Sequence, residues 1–530
     1  MKSKIDPPFQ LLRPRRLLAA ACICAIAALP VAPAAAQALG KPNNTSLPLL
    51  GDSARGDLSP VLERKLGEEI MHEIRRDRDF LDDDVILEYL NNFGSGLVAT
   101  YPGARGETGA DFYFFAVRDP MLNAFALPGG FIAVHSALLL AAQNESELAS
   151  VLSHEIGHVT QRHIARSIGQ QKQDALMPLA SLILAALASK AGPDAAMGVL
   201  MGGQGLAIQR QLNFSRDAER EADRVGFQIM GASGYDVSGM VAFFQRMQAA
   251  TKVYSDLTPP WLMSHPLTSE RISDIQARIR ETPRRARVDG LEFFLVRSRA
   301  RVLQDESAQG RRDAQIAFET QLQQQSRQQK AAAQYGLAYL ALKRGELARA
   351  DEWLDKARAT MKPPAGAVLS GGPAPSEAPQ MFAALALEIK LAPGQPATQA
   401  AQTLKEAEQA HQLFPLSRGI ARQYADAMIA AGKLEQAAVF LREQVRLYRE
   451  EPKLYDLLAK TYAAQGKLTL QHLALAESYV LSGAVPAAVD QLGIARKAPD
   501  ASFYDLAMID ARERELSERQ REEKKEKKER

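Results

Sequence analysis

Cysteine is almost absent from this chain: Cys22 and Cys24 are the only two cysteines among 530 residues. Both lie in residues 1–36, where five Lys or Arg residues precede or open an apolar run and small residues lead up to Ala36. This arrangement is typical of an export signal, so we expect cleavage near Ala36. The predicted mature chain then contains no cysteine, which excludes disulfide bonds and thiolate metal ligands from it.

Long apolar runs and an excess of one charge are also lacking. Beyond residue 36, no stretch of about 20 uninterrupted apolar residues occurs, which argues against a membrane-spanning segment. The nearest candidate, Ala175 to Ser189, predicts a buried helix or a lid, with a peripheral membrane contact as the third interpretation. Residues 1–36 carry a net charge of +4, which leaves −1 for the rest of a chain whose total is +3. Such a balance gives no electrostatic support for nucleic-acid binding.

Histidine is scarce as well, with eight residues in the whole chain, and this makes the segment from His154 to His158 informative. Two histidines four positions apart lie on one face of a helix, since four residues turn it by about 400°. They can share one metal ion, and Glu155 between them can serve as general base. Asn144 as N-cap and apolar residues at helical spacing predict the helix itself. The alternative is a histidine pair on a solvated helix face.

A catalytic zinc site usually has three protein ligands, so a third ligand is expected elsewhere in the chain. Residues 215–223 form a helical pattern without Gly or Pro, in which Glu219 and Asp223 share a face. We predict Glu219 as the third ligand to one Zn²⁺ per chain. Asp223 is predicted to accept a hydrogen bond from a ligating imidazole. Glu221 points to another side of this helix and is interpreted as a surface charge.

Aromatic and β-branched residues predict a small sheet between residues 112 and 135, with turn chemistry at residues 128–130. Proteases often bind extended peptides at an exposed sheet edge, because backbone hydrogen bonds do not depend on substrate sequence. We predict that residues 123–134 form such an edge, with these substrate-contacting positions: Asn123, Ala124, Phe125, Gly129 and Gly130. The alternative is a hairpin that only supports the core.

Helix-forming composition dominates the second half of the chain. Gly432 and Gly466 each begin a Gly-Lys-Leu triplet and lie 34 residues apart, which is the tetratricopeptide period. Such an array is a binding surface or, alternatively, an inert scaffold. The sequence thus predicts a mostly α-helical protein with these parts: a signal peptide in 1–36, an α+β metallopeptidase domain with a small sheet in 37–285, a lid-like insertion in 166–213 within it, an α-helical tetratricopeptide-repeat array in 290–500 and a charged tail in 501–530.

These motifs resemble those of the HtpX-like gluzincin peptidases and their prenyl-protease relatives. The resemblance is carried by the His154–His158 motif, by Glu219 and Asp223 on a later helix, and by His265 before a proline. It implies that Glu219 binds zinc. It also implies that His265 can occupy the open zinc position and silence the enzyme, with an oxyanion-stabilising role as the alternative.

Two further histidines, His135 and His163, match no ligand position of that family and are interpreted as structural. With the export signal and the repeats added, the chain is similar to the family of periplasmic β-barrel assembly-enhancing proteases. This similarity implies a periplasmic zinc endopeptidase acting on unfolded or stalled outer-membrane proteins. Implied partners are the outer-membrane barrel-assembly machinery and the lipopolysaccharide-transport barrel. The alternative is a chaperone or adaptor that acts through its repeats while the peptidase is held closed.

Overall fold

The computed structural model describes residues 58–106, 109–170, 216–253, 265–282, 287–323, 326–362 and 380–528, together with residues 262 and 285. The predicted signal peptide, its cleavage position near Ala36 and residues 171–213 of the predicted lid-like insertion lie outside the described residues. None of the helices described has both the length and the apolar composition needed to cross a bilayer.

Helices surround one small sheet in the N-terminal part of the described chain. Its elements are α1 (Pro60–Arg76), α2 (Asp84–Thr100), β1 (Tyr113–Val117), β2 (Ala124–Leu127), β3 (Phe131–His135), α3 (Ser136–Ala141), α4 (Glu145–Thr160), α5 (His163–Gln170), α6 (Arg216–Ala232), α7 (Ser238–Val253) and α8 (Ser269–Glu281). The two predicted site helices are α4 and the first half of α6.

The sheet has β3 at its centre, parallel to β1 and antiparallel to β2. The prediction that residues 123–134 form a single edge is therefore wrong for β3, because that strand has a neighbour on each side. Gly129 and Gly130 do not lie on the edge either. They form the turn Pro128–Gly130 between β2 and β3, with φ values of 77° and 89° that favour glycine. Within the predicted segment, only β2 is an edge strand.

Both faces of the sheet are buried. Phe114 and Ile132 pack into the main core together with α2 and α4, whereas Phe115 and Ala133 point to the other face and pack against Met71 of α1. Alternate residues of a strand point to opposite faces, so this double burial explains the almost continuous apolar sequence of β1 and β3. The sheet therefore fixes β2 firmly beside α4.

The C-terminal part is a helical repeat array, and the predicted mostly α-helical fold is confirmed. Its helices are α9 (Leu291–Gln304), α10 (Ala308–Gln321), α11 (Arg327–Lys343), α12 (Leu347–Met361), α13 (Gln380–Leu391), α14 (Ala400–Leu413), α15 (Arg418–Ala430), α16 (Leu434–Leu447), α17 (Pro452–Ala464), α18 (Leu468–Leu481), α19 (Val485–Arg496) and α20 (Phe503–Lys528). Gly432 and Gly466 lie at equivalent turns, with φ of 71° and 73°. The tetratricopeptide assignment stays a prediction.

The array and the N-terminal part pack against each other. Arg297 of α9 donates a hydrogen bond to the Leu140 carbonyl of α3, and one apolar core continues from the sheet into α9 and α11. At the other end, α20 begins as a packed helix, with Ile509 and Leu516 buried beside α19. The predicted boundaries near residues 285–290 and 501 stay predictions.

Candidate metal centre

Helix α4 begins at a reciprocal cap. Asn144 Oδ1 accepts a hydrogen bond from the Glu147 N–H at 2.9 Å, and Glu147 Oε2 accepts one from the Gln143 N–H at 2.8 Å. Such a cap fixes where the helix begins and hence which residues face inward. His154 and His158 are 0% and 1% exposed, which does not fit a pair of histidines on a solvated face.

Helices α4 and α6 cross with their backbones almost in contact. A Cβ added to Gly157 of α4 would lie 2.9 Å from the Ala222 oxygen of α6. One added to Gly226 of α6 would lie 3.0 Å from the His154 nitrogen. Only glycine permits so close an approach. Because the helices meet here, Glu219 lies against the two histidines of α4.

Four buried side chains converge at this crossing. His154, His158, Glu219 and His265 each offer a ligand atom, and these atoms lie within 4.8 Å of one another. The Nε2 atoms of His154 and His158 are 3.0 Å apart, and each is 3.5 Å from a Glu219 oxygen. Tetrahedral ligands at about 2.0–2.2 Å from zinc are about 3.4 Å from one another. The nitrogen and oxygen donors and their spacing therefore fit a tetrahedrally bound divalent ion.

The outer nitrogen of His154 faces a carboxylate. His154 Nδ1 lies 3.0 Å from Asp223 Oδ1, a contact that fixes the orientation of the imidazole. Arg271 of α8 donates to both Asp223 oxygens at 2.6 and 2.8 Å, and its Nη1 lies 2.7 Å from Glu219 Oε2. One guanidinium thus compensates two buried carboxylates from the outer side. The sequence alone does not predict these contacts of Arg271.

The outer nitrogen of His158 faces a second imidazole. His158 Nδ1 lies 2.9 Å from His163 Nδ1, and His163 Nε2 lies 3.1 Å from Glu221 Oε2. Arg166 donates to the same Glu221 oxygen at 2.8 Å. Glu221 is only 8% exposed, so its interpretation as a surface charge is wrong. The reason is that α5 follows α4 after a short turn and covers this side of α6.

His265 enters the cluster from the segment before α8. Its Nδ1 lies 2.9 Å from Glu219 Oε1 and 3.3 Å from His154 Nε2, and its Nε2 lies 3.6 Å from Glu155 Oε1. Arg271 also donates to the Pro266 carbonyl at 3.0 Å, which holds this segment beside α6. His265 is therefore placed between the Glu219 carboxylate and Glu155.

Glu155 faces the edge strand β2. Its Oε2 accepts a hydrogen bond from the Ala126 N–H at 3.1 Å. The His135 N–H donates to the Asn123 oxygen at 3.0 Å, which sets the alternation of the antiparallel pair. Ala124 and Ala126 consequently turn their N–H and C=O groups away from β3. These outward backbone groups of β2 lie next to the four-residue cluster.

Burial and neighbouring charges act in opposite directions on the titratable groups of the cluster. Desolvation lowers the pKa of His158 well below its usual value, which favours the neutral form that binds metals. Desolvation also opposes protonation of His154, but hydrogen bonds with Asp223 and Glu219 outweigh it and raise its pKa to about 9. Burial alone would raise the pKa of Glu219, yet neighbouring groups, His265 first, hold it well below the usual range. The Glu219 carboxylate is therefore ionised among these partners.

Comparisons with known proteins agree with this geometry. A family model described as peptidase family M48 matches residues 99–279, which include the four side chains of the cluster. A protein named β-barrel assembly-enhancing protease, from Yersinia pestis, is 30% identical over 474 residues, or 89% of this chain and 91% of that protein. The chain belongs to the β-barrel assembly-enhancing protease family.

Two more proteins are similar to this chain. The β-barrel assembly-enhancing protease of Escherichia coli K12 is 29% identical over 498 residues, or 94% of this chain and 96% of that protein. A relative from Vibrio cholerae is 37% identical over 286 residues, or 54% of this chain and 56% of that protein. As a β-barrel assembly-enhancing protease with a peptidase M48 domain, the chain is a metallopeptidase.

Proposed function

We propose that this chain is a periplasmic zinc endopeptidase that degrades misfolded or stalled outer-membrane proteins and assists β-barrel assembly. The observation that carries the proposal is the convergence of His154, His158 and Glu219 beside Glu155. The names of its relatives in Yersinia pestis and Escherichia coli K12 support the part in barrel assembly. The composition of residues 1–36 supports export.

Glu155 is proposed as the general base. Bound zinc would supply Lewis acidity, which lowers the pKa of a water molecule to about 7 and polarises a peptide carbonyl. Glu155 is 1% exposed, and the Ala126 N–H holds one of its carboxylate oxygens in place. Its other oxygen faces the donor cluster, where it can take a proton from the attacking water and return it to the leaving amine.

The β2 edge is proposed to hold the substrate as an added strand. The Ala126 N–H already donates to Glu155 and Ala124 is buried, so the Ala126 carbonyl is the backbone group of this edge that is left for a peptide. Phe125 is next to it on the strand, and the contacts of Asn123 and Ala124 with a substrate stay predictions. Pairing through the backbone suits an enzyme whose substrates share an unfolded state rather than a sequence.

The repeat array is proposed as the docking surface of the enzyme. Its proposed partners are unfolded outer-membrane proteins, the outer-membrane barrel-assembly machinery and the lipopolysaccharide-transport barrel. Apolar side chains on the array support such a role, since Leu416 and Leu447 are 87% and 69% exposed. A peripheral membrane contact of residues 166–213 belongs to the same proposal, as does the assignment of the repeats as tetratricopeptide units.

A second candidate function is a chaperone or adaptor that works through the array while the peptidase is closed. The contacts of His265 with Glu219 and Glu155 favour it, because they fill the space that a substrate carbonyl would need. In this view His265 inhibits the peptidase, and Arg271 holds the His265 segment in place through its hydrogen bond to the Pro266 carbonyl.

Glu155→Gln separates the two candidates. The variant is expected to bind about one zinc per chain and to cleave an unfolded outer-membrane polypeptide about 10²–10⁴-fold more slowly than the wild type. An unchanged cleavage rate with zinc bound would contradict the proposed mechanism. In cells that lack the native protein, failure of Glu155→Gln to restore the outer-membrane barrier favours the peptidase, and full restoration favours the chaperone.

A further inference from the structure

We infer that Glu221 positions the zinc ligand His158 by acting through His163. Each histidine of the proposed zinc site is then fixed by a carboxylate, His154 directly by Asp223 and His158 through an intervening imidazole. The inference rests on the proposed zinc function. Glu221, His163 and Arg166 are positioning residues in it, since none of them contacts the reacting atoms.

The positions of the ring nitrogens give this contact a direction. His158 turns Nε2 toward His154 and Glu219, so the neutral, metal-binding form carries its hydrogen on Nδ1. His163 Nδ1 lies 2.9 Å away and accepts that hydrogen bond. His163 then carries its own hydrogen on Nε2 and donates it to Glu221 at 3.1 Å. An ionised carboxylate only accepts hydrogen bonds, so Glu221 sets the tautomer of His163 and thereby orients His158.

The relay is enclosed and held from both ends. The side chains of His158, His163 and Glu221 are 0%, 1% and 8% exposed. Bulk water therefore cannot take the place of any of these hydrogen-bond partners. Arg166 donates to Glu221 at 2.8 Å and keeps the carboxylate aimed at His163. In so buried a position, hydrogen bonds to a charged group are stronger than in water.

On the other side of the centre, Asp223 also orients a histidine and is also paired with an arginine, but none of these residues belongs to the relay. Asp223 contacts His154 directly and is paired with Arg271 from α8, whereas Glu221 is paired with Arg166 from α5. The two carboxylates lie on different faces of α6. Their effects on zinc affinity are therefore expected to be independent of each other, while those of Glu221 and His163 are expected to be shared.

The test compares Glu221→Gln, His163→Gln and the double variant of these two, all in the full chain. Zinc affinity is measured by competition with a chelator, and the ligand field by the visible spectrum of the cobalt(II)-substituted protein. Each single variant is expected to raise the zinc dissociation constant about 10–100-fold and to shift the cobalt bands. The double variant is expected to be no weaker than His163→Gln alone, because both changes break one relay.

Glu147→Gln is the matched control. Glu147 is a buried carboxylate on the same helix as His158, and it pairs with Arg246 at 2.7 Å, away from the cluster. Glutamine keeps an oxygen that can accept the capping hydrogen bond from the Gln143 N–H. This variant is expected to lower the unfolding temperature without changing the zinc dissociation constant or the cobalt spectrum. A purely structural role of Glu221 would produce the same pattern as this control.

The outcomes separate this inference from the function on which it rests. Zinc affinity within about twofold of the wild type in folded Glu221→Gln, with an unchanged cobalt spectrum, would overturn the relay and leave the zinc site intact. Additive losses in the double variant would overturn it too. Absence of zinc from the wild-type protein would contradict the proposed function itself. His163→Gln tests the same step from the other end if Glu221→Gln does not fold.

Discussion

The candidate metal centre and the junction between α2 and the array both bury carboxylates, but different groups surround those carboxylates. At the junction, Arg299 donates to both oxygens of Asp83 at 2.7 Å and to both oxygens of Glu388 at 2.8 and 2.9 Å. Its guanidinium completes that cluster. At the centre, Arg271 also compensates two carboxylates, Asp223 and Glu219, but here two imidazole nitrogens and the Glu219 oxygens converge in addition. Buried charge alone therefore does not indicate a metal site, whereas converging lone pairs do.

Glu219→Gln should abolish tight metal binding at the candidate centre, and it has the largest expected effect. Removing a ligand is expected to weaken zinc binding more than about 100-fold, since loss of an outer hydrogen-bond partner alone costs 10–100-fold. Peptidase activity should fall with it. Zinc content after dialysis against a chelator measures the effect.

Glu388→Gln is the matched substitution at the junction. Burial raises the pKa of Glu388 despite the opposing charge of Arg299, so loss of its negative charge is tolerated better than loss at the centre. Zinc content should equal that of the wild type. A loss of zinc in this variant would show that the two clusters are not separate.

Arg299→Met should destabilise the junction between α2 and the array. It leaves Asp83 buried without its cation, and removal of one partner of a buried ion pair costs about 3–5 kcal/mol of unfolding free energy. Urea unfolding of the zinc-loaded protein measures this cost. Zinc affinity should not change, so a variant of normal stability that had lost its zinc would contradict the comparison.

Gly157→Ala tests whether the close crossing of α4 and α6 is needed for stability and zinc binding. The added Cβ would lie 2.9 Å from the Ala222 oxygen, so α4 and α6 must move apart at an expected cost of about 1–3 kcal/mol. Zinc affinity should fall as well. Gly96→Ala in α2 is the control, because open space surrounds that position, and there alanine should stabilise the helix by about 0.5–1 kcal/mol. Equal effects of the two substitutions would contradict the role of the crossing.

Asp84→Asn should give the smallest effect. Burial opposes ionisation of Asp84, but the charges of Arg422 and Lys453 outweigh it and lower its pKa. Its stabilising contribution is thus complete above the unfolded-state pKa, about 3.9, and is lost as the pH falls through the lower folded-state pKa. The variant should lose less unfolding free energy than the wild type between pH 5 and pH 3, by about 1 kcal/mol, because the pair is partly exposed to solvent. A larger acid loss in the variant would contradict the assignment.

Local sequence periodicity predicted what depends on a single helix. The four-residue spacing of His154 and His158, and the N-cap at Asn144, are properties of one segment, and the structure has the cap where the sequence indicated it. The mostly helical fold with a small sheet followed for the same reason. The 34-residue spacing of Gly432 and Gly466 likewise indicated equivalent turns of the array.

What the sequence did not predict depends on which elements meet. The sequence predicts an exposed Glu221 because nothing in its own helix shows that α5 covers it. Arg271 and His163 reach the centre only through the packing of α8 and α5 against α6. The central position of β3 depends on its pairing with β1 across the intervening chain, which strand propensity cannot reveal.

The most direct test of the account is anomalous diffraction at the zinc absorption edge from crystals of the active, full-length protein. We expect one anomalous peak per chain, about 2.0–2.2 Å from the Nε2 atoms of His154 and His158 and from a Glu219 oxygen. A peak at another place, or an active protein without a peak between these three side chains, would contradict it.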